Sequence, residues 1–246
     1  RGPRTQYRVS HTQIMKSKPI KKIISFENQL KVFNQLGFKL NKGITPNDIL
    51  ILVGQEELDF DPYSADKRYE SVKIRLKPYS YKGVLKEIGR EEIENEPFET
   101  LYYALADETE NLQPITNQCW YIDDYSLKDL GENKYTFILK KLKRISNNEL
   151  NFKKIRSVAN AENQTTFLSF ELNKNNYNWQ FQSNKCPIHL FSKIVELTQT
   201  HNTLGKFTGL FFDNDNPQHG VVIGWLTAKQ KMEVIEKTNL NIQWLR

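Results

Sequence analysis

Between Phe26 and Leu36 the apolar residues Phe26, Leu30, Phe33 and Leu36 recur at the spacing of one helix face. Ser25 stands before them as an N-cap and Gly37 after them as a stop, so a helix with a buried stripe is expected. Thr45-Pro46 repeats the start signal for a short segment from Pro46 to Val53, which Gly54 should end. From Gln55 to Lys67 the chain is acidic and turn-prone, with Asp61-Pro62 as the expected bend. Val72, Ile74 and Leu76 then alternate with Lys73, Arg75 and Lys77, the period of a half-buried strand with a basic outer face. The aromatic-rich segments Phe98 to Leu105 and Cys119 to Ile122 predict two further strands, joined by a polar connection around Glu108 to Thr116. Tyr135, Ile138, Leu139, Leu142 and Ile145 return to the helical period, with Lys140, Lys141, Lys143 and Arg144 opposite.

The second half is more sharply punctuated. Phe167 to Leu172 and Tyr177 to Phe181 are β-formers separated by Asn173, Lys174, Asn175 and Asn176, which predicts a hairpin. A helix is expected from Ile188 to Thr200, with Phe191, Ile194, Val195 and Thr198 inward. Phe207 to Phe212 and Val221 to Leu226 form a second strand pair around the loop from Asp213 to Gly220. Thr227 and Gln230 then make a capping box for a helix to Lys237, and Ile242 to Leu245 ends the chain as a short docked strand. The fold class that follows is α+β, with antiparallel sheets, helices packed on one face and a C-terminal half ordered ββαββα. Asn147, Asn148 and Asn151 interrupt the periodic pattern. The expected organisation is a basic arm over 1–24, an α+β module over 25–150 and the ββαββα module over 151–246.

Composition bounds the function. With 246 residues, 38% of them apolar, the chain buries a real core. No apolar run approaches the roughly 20 residues of a membrane span, and no stretch near the start resembles a signal peptide, so no membrane span and a cytoplasmic setting are expected. The abundance of Lys, Asn and Ile points to an A/T-rich, bacterial genome. The net charge of +6 suggests a polyanion partner, but its distribution narrows that reading. Arg1, Arg4, Arg8, Lys16, Lys18, Lys21 and Lys22 give the arm +7, and the remaining 28 bases and 29 acids leave the body at −1. Weak, non-specific polyanion binding is thus assigned to the arm, beside its reading as a solubilising segment.

Acids cluster as well. Glu87, Glu91, Glu92, Glu94, Glu96 and Glu99 fall within thirteen residues, relieved by Arg90; such a run suits a basic partner surface or a solvated helix. Cys119 and Cys186 form no C-x-x-C pair and have no histidine at ligand spacing, so they are read as small buried side chains, with one disulfide between them left open.

Catalytic constellations are incomplete. Asp213-Asn214-Asp215 follows a strand as the nucleophilic Asp-x-Asp of aspartate-dependent phosphohydrolases does, yet only 31 residues remain after Asp215 and they begin with an antiparallel strand. Pro217 and the missing closing Glu exclude a calcium loop. His219 stands six residues after Asp213, near enough for an acid/base pair at a loop tip. Asp123 and Asp124 are adjacent and point to opposite faces of one strand, so at most one joins a site with Glu99. Neither a G-x-S-x-G elbow nor a Walker loop is present, and no metal or other cofactor is expected. Tyr177, Trp179 and Phe181 share a strand face read as core, whereas Tyr79 and Tyr81, between Lys77 and Lys82, are the exposed aromatic candidates.

The hairpin from Thr166 to Gln182, the pair from Phe207 to Leu226, the capped helix from Thr227 and the Trp244-Leu245 ending resemble the small α+β immunity proteins that bacteria pair with secreted toxins. The resemblance covers roughly the last ninety residues and implies a non-enzymatic protein that blocks a toxin by contact. The function expected is a bacterial protein-binding module with another protein, a basic toxin, as partner. Its contact residues would be Glu91, Glu92, Glu94, Glu96, Asp213, Asp215 and His219. The competing reading is a metal-dependent phosphodiesterase or nucleic-acid binder that uses the arm.

Overall fold

The computed structural model describes residues 23–60, 62–76, 80–109, 111–122, 133–160, 162, 164–182, 188–211 and 220–245. In chain order the elements begin with α1 (Phe26–Gln35), α2 (Pro46–Phe60), α3 (Pro62–Arg75), α4 (Tyr81–Asn95), α5 (Glu99–Ala106), β1 (Cys119–Ile122) and α6 (Lys134–Ile145). They continue with β2 (Lys153–Asn160), β3 (Thr165–Leu172), β4 (Asn175–Gln182), α7 (Ile188–Thr200), β5 (Lys206–Phe211), β6 (Val221–Leu226), α8 (Ala228–Thr238) and β7 (Gln243–Trp244). The protein is α+β, with both of its sheets antiparallel.

One sheet has the order β1-β6-β5-β7, the other β2-β3-β4. The four-stranded sheet is apolar on both sides and carries a core on each. Cys119, Leu210 and Val222 join Phe26, Phe33, Phe38, Leu101 and Leu105 under the helical layer. Trp120, Ile223 and Phe207 join Tyr135, Ile138, Leu168, Phe170 and Ile194, where α6, α7 and the three-stranded sheet pack. Since β1 pairs with β6, a strand preceding the Asn147–Asn151 break completes the sheet of the strands that follow it.

The first helix forms as its stripe predicts, and Phe26, Leu30, Phe33 and Leu36 are buried. Its cap differs. Ser25 makes no side-chain cap bond, and the Glu94 carboxylate accepts the Phe26 N–H at 2.9 Å from α4. Gln29, fully buried, donates to the carbonyls of Ile24 and Ile93 and accepts the N–H of Phe98, tying α1 to α4 and to the start of α5.

Three local expectations are corrected by packing. Gly54 does not end a helix, because α2 runs on to Phe60. Val72, Ile74 and Leu76 are not a strand but part of α3 and the residue just after it; Tyr69, Val72 and Leu76 turn toward Val84 and Ile88 of α4, and Ile74 is exposed. Phe98 to Leu105 is not a strand either. Glu99–Ala106 is a helix whose Leu101, Tyr102, Ala104, Leu105 and Ala106 are all buried, and burial on most sides overrides the β preference of its tyrosines. Asp61 of the bend expected at Asp61-Pro62 lies outside the described residues, and α3 begins at Pro62.

In the C-terminal half the strand β2 precedes the expected ββαββα order, because the lysines and arginine of its sequence hide its alternation. The hairpin β3–β4 is two-residue, with Asn173 at φ 51° and Lys174 at φ 67°, the left-handed pair that matches strand twist. On α7 Ile194 and Thr198 are buried with Leu190 and Leu197, while Phe191 and Val195 are half-buried. The Thr227/Gln230 capping box is present in full, and the tail pairs with β5 as β7.

Candidate functional site

The acids of α4 lie against arginines. Arg68 of α3 is bonded to Glu57 of α2 and to Glu92, with Glu91 at 3.9 Å, and Arg75 meets Glu91 at 2.6 Å. Arg90 reaches Glu27 at 2.8 Å and Glu94 at 3.5 Å, and Glu94 also holds the first N–H of α1. Glu91, Glu92 and Glu94 therefore hold the helical layer together, and the Arg90 guanidinium keeps the Glu27 carboxyl below the ordinary carboxylate range. Glu96 follows α4 as its C-cap. Asp213, Asp215, His219 and the arm residues Arg1, Arg4, Arg8, Lys16, Lys18, Lys21 and Lys22 lie outside the described residues, as do Cys186, Tyr79, Asp123 and Asp124.

Other chemically suggestive groups serve the fold. His201 Nε2 lies 2.8 Å from the Tyr177 hydroxyl and its Nδ1 3.2 Å from the Asn173 amide, which pins the hairpin to the end of α7. Glu149 accepts from Trp225 Nε1 at 3.0 Å and from the N–H groups of Leu204 and Gly205, closing the turn before β5. Tyr81 is exposed, but its hydroxyl donates to Gln55 at 2.9 Å. Burial pushes the Cys119 thiol up to about 12. Glu56 is exposed as a residue, yet desolvation of its carboxyl and then the neighbouring Asp107 push it up to about 8. Among the described residues no group of three or more His, Cys, Asp or Glu stands close enough to hold a metal ion, and no helix is long and apolar enough to cross a membrane.

Among the described residues, an exposed apolar pair also lies on the solvent-facing side of β2-β3-β4. Along β3, Thr166, Leu168, Phe170 and Leu172 turn inward and Thr165, Phe167, Ser169 and Glu171 turn outward. Phe167 is 47% exposed and pairs across the strands with Val158, 61% exposed. Residues opposite one another in register point to the same face, so Gln180 extends this row, and Arg156, Ser169 and Asn178 make the next. Lys153 is exposed beside them, and Lys154 pairs with Glu171 at 2.7 Å. The result is an apolar centre within an amide-rich, basic rim.

Sequence reasoning passed over this pair although a signal was present. Phe167 occupies the polar parity of an otherwise regular amphipathic strand, the position where an aromatic ring has no packing reason to be. Its neighbour Val158 sits on the strand that the basic residues concealed. Compared with protein families, curated proteins and solved structures, the chain matches none of them.

Proposed function

We propose that this protein acts by contact, as a non-enzymatic binding module for another protein, in the manner of the immunity proteins its C-terminal half resembles. The observation that carries the proposal is the exposed Val158–Phe167 pair at the centre of a polar, partly charged sheet face. Interface energy concentrates where an apolar anchor is ringed by polar groups that exclude water, and this face has that anatomy. Arg156 and Lys153 on its rim favour a partner patch that is apolar at its centre and acidic at its edge. The expectation of a basic partner rested on the acids of α4, which Arg68, Arg75 and Arg90 already pair, and on the loop from Asp213 to His219, which lies outside the described residues. A bacterial source belongs to the same proposal and rests on the Lys-, Asn- and Ile-rich composition.

The nucleic-acid reading has one observation in its favour: an exposed aromatic ring beside cations is also the arrangement that stacks a base and holds its phosphate. One experiment separates the two. The full chain and its Val158→Lys/Phe167→Glu variant are used to capture partners from the source cells, with parallel titrations of a single-stranded oligonucleotide at several salt concentrations. A protein retained by the wild type and lost by the variant supports the proposal. Equal retention by both contradicts it, and salt-dependent oligonucleotide binding lost in the variant favours the second reading.

A further inference from the structure

We propose that the protein self-associates into a two-fold homodimer by pairing its β4 strand with the β4 strand of a second copy, so that the two three-stranded sheets become one. This inference goes beyond the contact function and stands first on the backbone edge of β4, whose Asn178 and Gln180 side chains also border the sheet face.

The hairpin fixes which backbone groups of β4 face outward. In a two-residue turn of this type the flanking residues, here Leu172 and Asn175, exchange both backbone hydrogen bonds. Hydrogen-bonded pairs then recur at every second position, at Phe170 with Tyr177, Leu168 with Trp179 and Thr166 with Phe181. The alternate residues Asn176, Asn178, Gln180 and Gln182 direct their N–H and C=O groups away from β3. Since β4 is last in its sheet among the described residues, those groups face an edge that none of these residues pairs.

Sheet edges in monomeric proteins are blunted by short length, by charge, by proline or by a bulge. Among the described residues three of the four edges follow that rule. β1 has four residues, β7 has two, and β2 carries Lys153, Lys154 and Arg156 with a register shift between Lys153 and Arg156. β4 does not. It is eight residues long, holds a continuous register with β3, and contains no charged residue and no proline. Next to its C-terminal end a cleft of about 390 Å³, lined by Phe181, Gln182, His189, Lys193 and Glu196 among others, leaves the strand approachable between α7 and solvent.

A second copy fits this edge by charge and by symmetry. Two β2 edges would bring like charges into line, whereas the β4 strands themselves offer only amides and aromatic rings, with Lys193 of α7 held over the Trp179 ring at 5.5 Å beside Glu196. Antiparallel pairing about an axis through Trp179 opposes Asn178 to Gln180 of the second copy and Asn176 to Gln182. Every outward backbone group of those residues then finds a partner, and the exposed side chains meet as amide pairs, each able to donate and accept. On the opposite face Tyr177 and Trp179, both half-buried, gain cover. The contact is isologous and uses the edge in both copies, so assembly stops at the dimer.

The test is sedimentation of the full chain over a range of concentrations, with backbone amide exchange read residue by residue. The wild type should approach twice the 29.0 kDa chain mass, with no larger species. The amides of Asn176, Asn178, Gln180 and Gln182 should slow as concentration rises. An Asn178→Lys/Gln180→Lys variant, altered at two exposed positions, should keep its circular dichroism and self-associate at least tenfold more weakly. Mixing it with an Asn178→Asp/Gln180→Asp variant should restore a dimer. A wild type that stays monomeric at its highest soluble concentration, a dimer indifferent to the lysine substitutions, or open-ended growth would each overturn the proposal. None of these results depends on whether the sheet face captures a partner.

Discussion

A Cβ placed on Gly54 of α2 would stand 2.0 Å from the carbonyl oxygen of Leu85 in α4, and Gly89 of α4 meets the Leu50 carbonyl at the same distance. The two helices thus touch backbone to backbone, with a glycine from each at the crossing. Gly54→Ala or Gly89→Ala is expected to destabilise by ~1–3 kcal/mol or more through overpacking, although alanine is favoured over glycine in a helix by up to about 1 kcal/mol. Gly83→Ala is the control, since its Cβ would meet only the Ser80 hydroxyl at 3.1 Å. Urea denaturation measures all three, and an unchanged or raised midpoint for Gly54→Ala would separate α2 from α4.

Where the sequence was legible, the information was local. The stripe of α1, the asparagine turn between β3 and β4 and the Thr227/Gln230 box each contain their own instructions, and each formed as expected. Where it was not, the deciding contact lay far along the chain. Gly54 reads as a stop until Leu85 is known to pack on it, and Val72 and Leu76 fit a strand as well as a helix until α4 supplies one side to bury them. The candidate site was half legible for the same reason. The acids of α4 were visible as a run, but their arginine partners Arg68 and Arg75 come from another helix, and the exposure of Phe167 depends on its register with Val158.

Glu56 gives stability an unusual pH dependence. Its folded carboxyl titrates at about 8 against an ordinary 4.5, so the native state binds a proton that the unfolded chain has released across that window. Stability from this group is full below the ordinary value and falls as pH rises through the folded one. Glu56→Gln removes the titration and should flatten the decline in melting temperature between the ordinary value of 4.5 and about pH 8. An identical pH profile in the variant would contradict the desolvation of this carboxyl and its crowding by Asp107.

Cys119 should be chemically silent in the native protein. Its thiol is fully buried, with Thr116 Oγ1 at 3.6 Å, and with its titration moved up to about 12 little thiolate exists under mildly alkaline conditions. Iodoacetamide followed by peptide mapping should show Cys119 unmodified in buffer and fully modified in denaturant. Native labelling at the unfolded rate would contradict this burial.

The account as a whole rests on contact through the outer face of β2-β3-β4, and hydroxyl-radical footprinting tests it with any protein partner captured by the wild type. Phe167 and Met232, the latter 71% exposed and on α8, should both be oxidised in the free protein. Addition of the partner should suppress oxidation at Phe167 and leave Met232 unchanged. Undiminished labelling of Phe167 in a saturated complex would place the contact elsewhere and contradict the account.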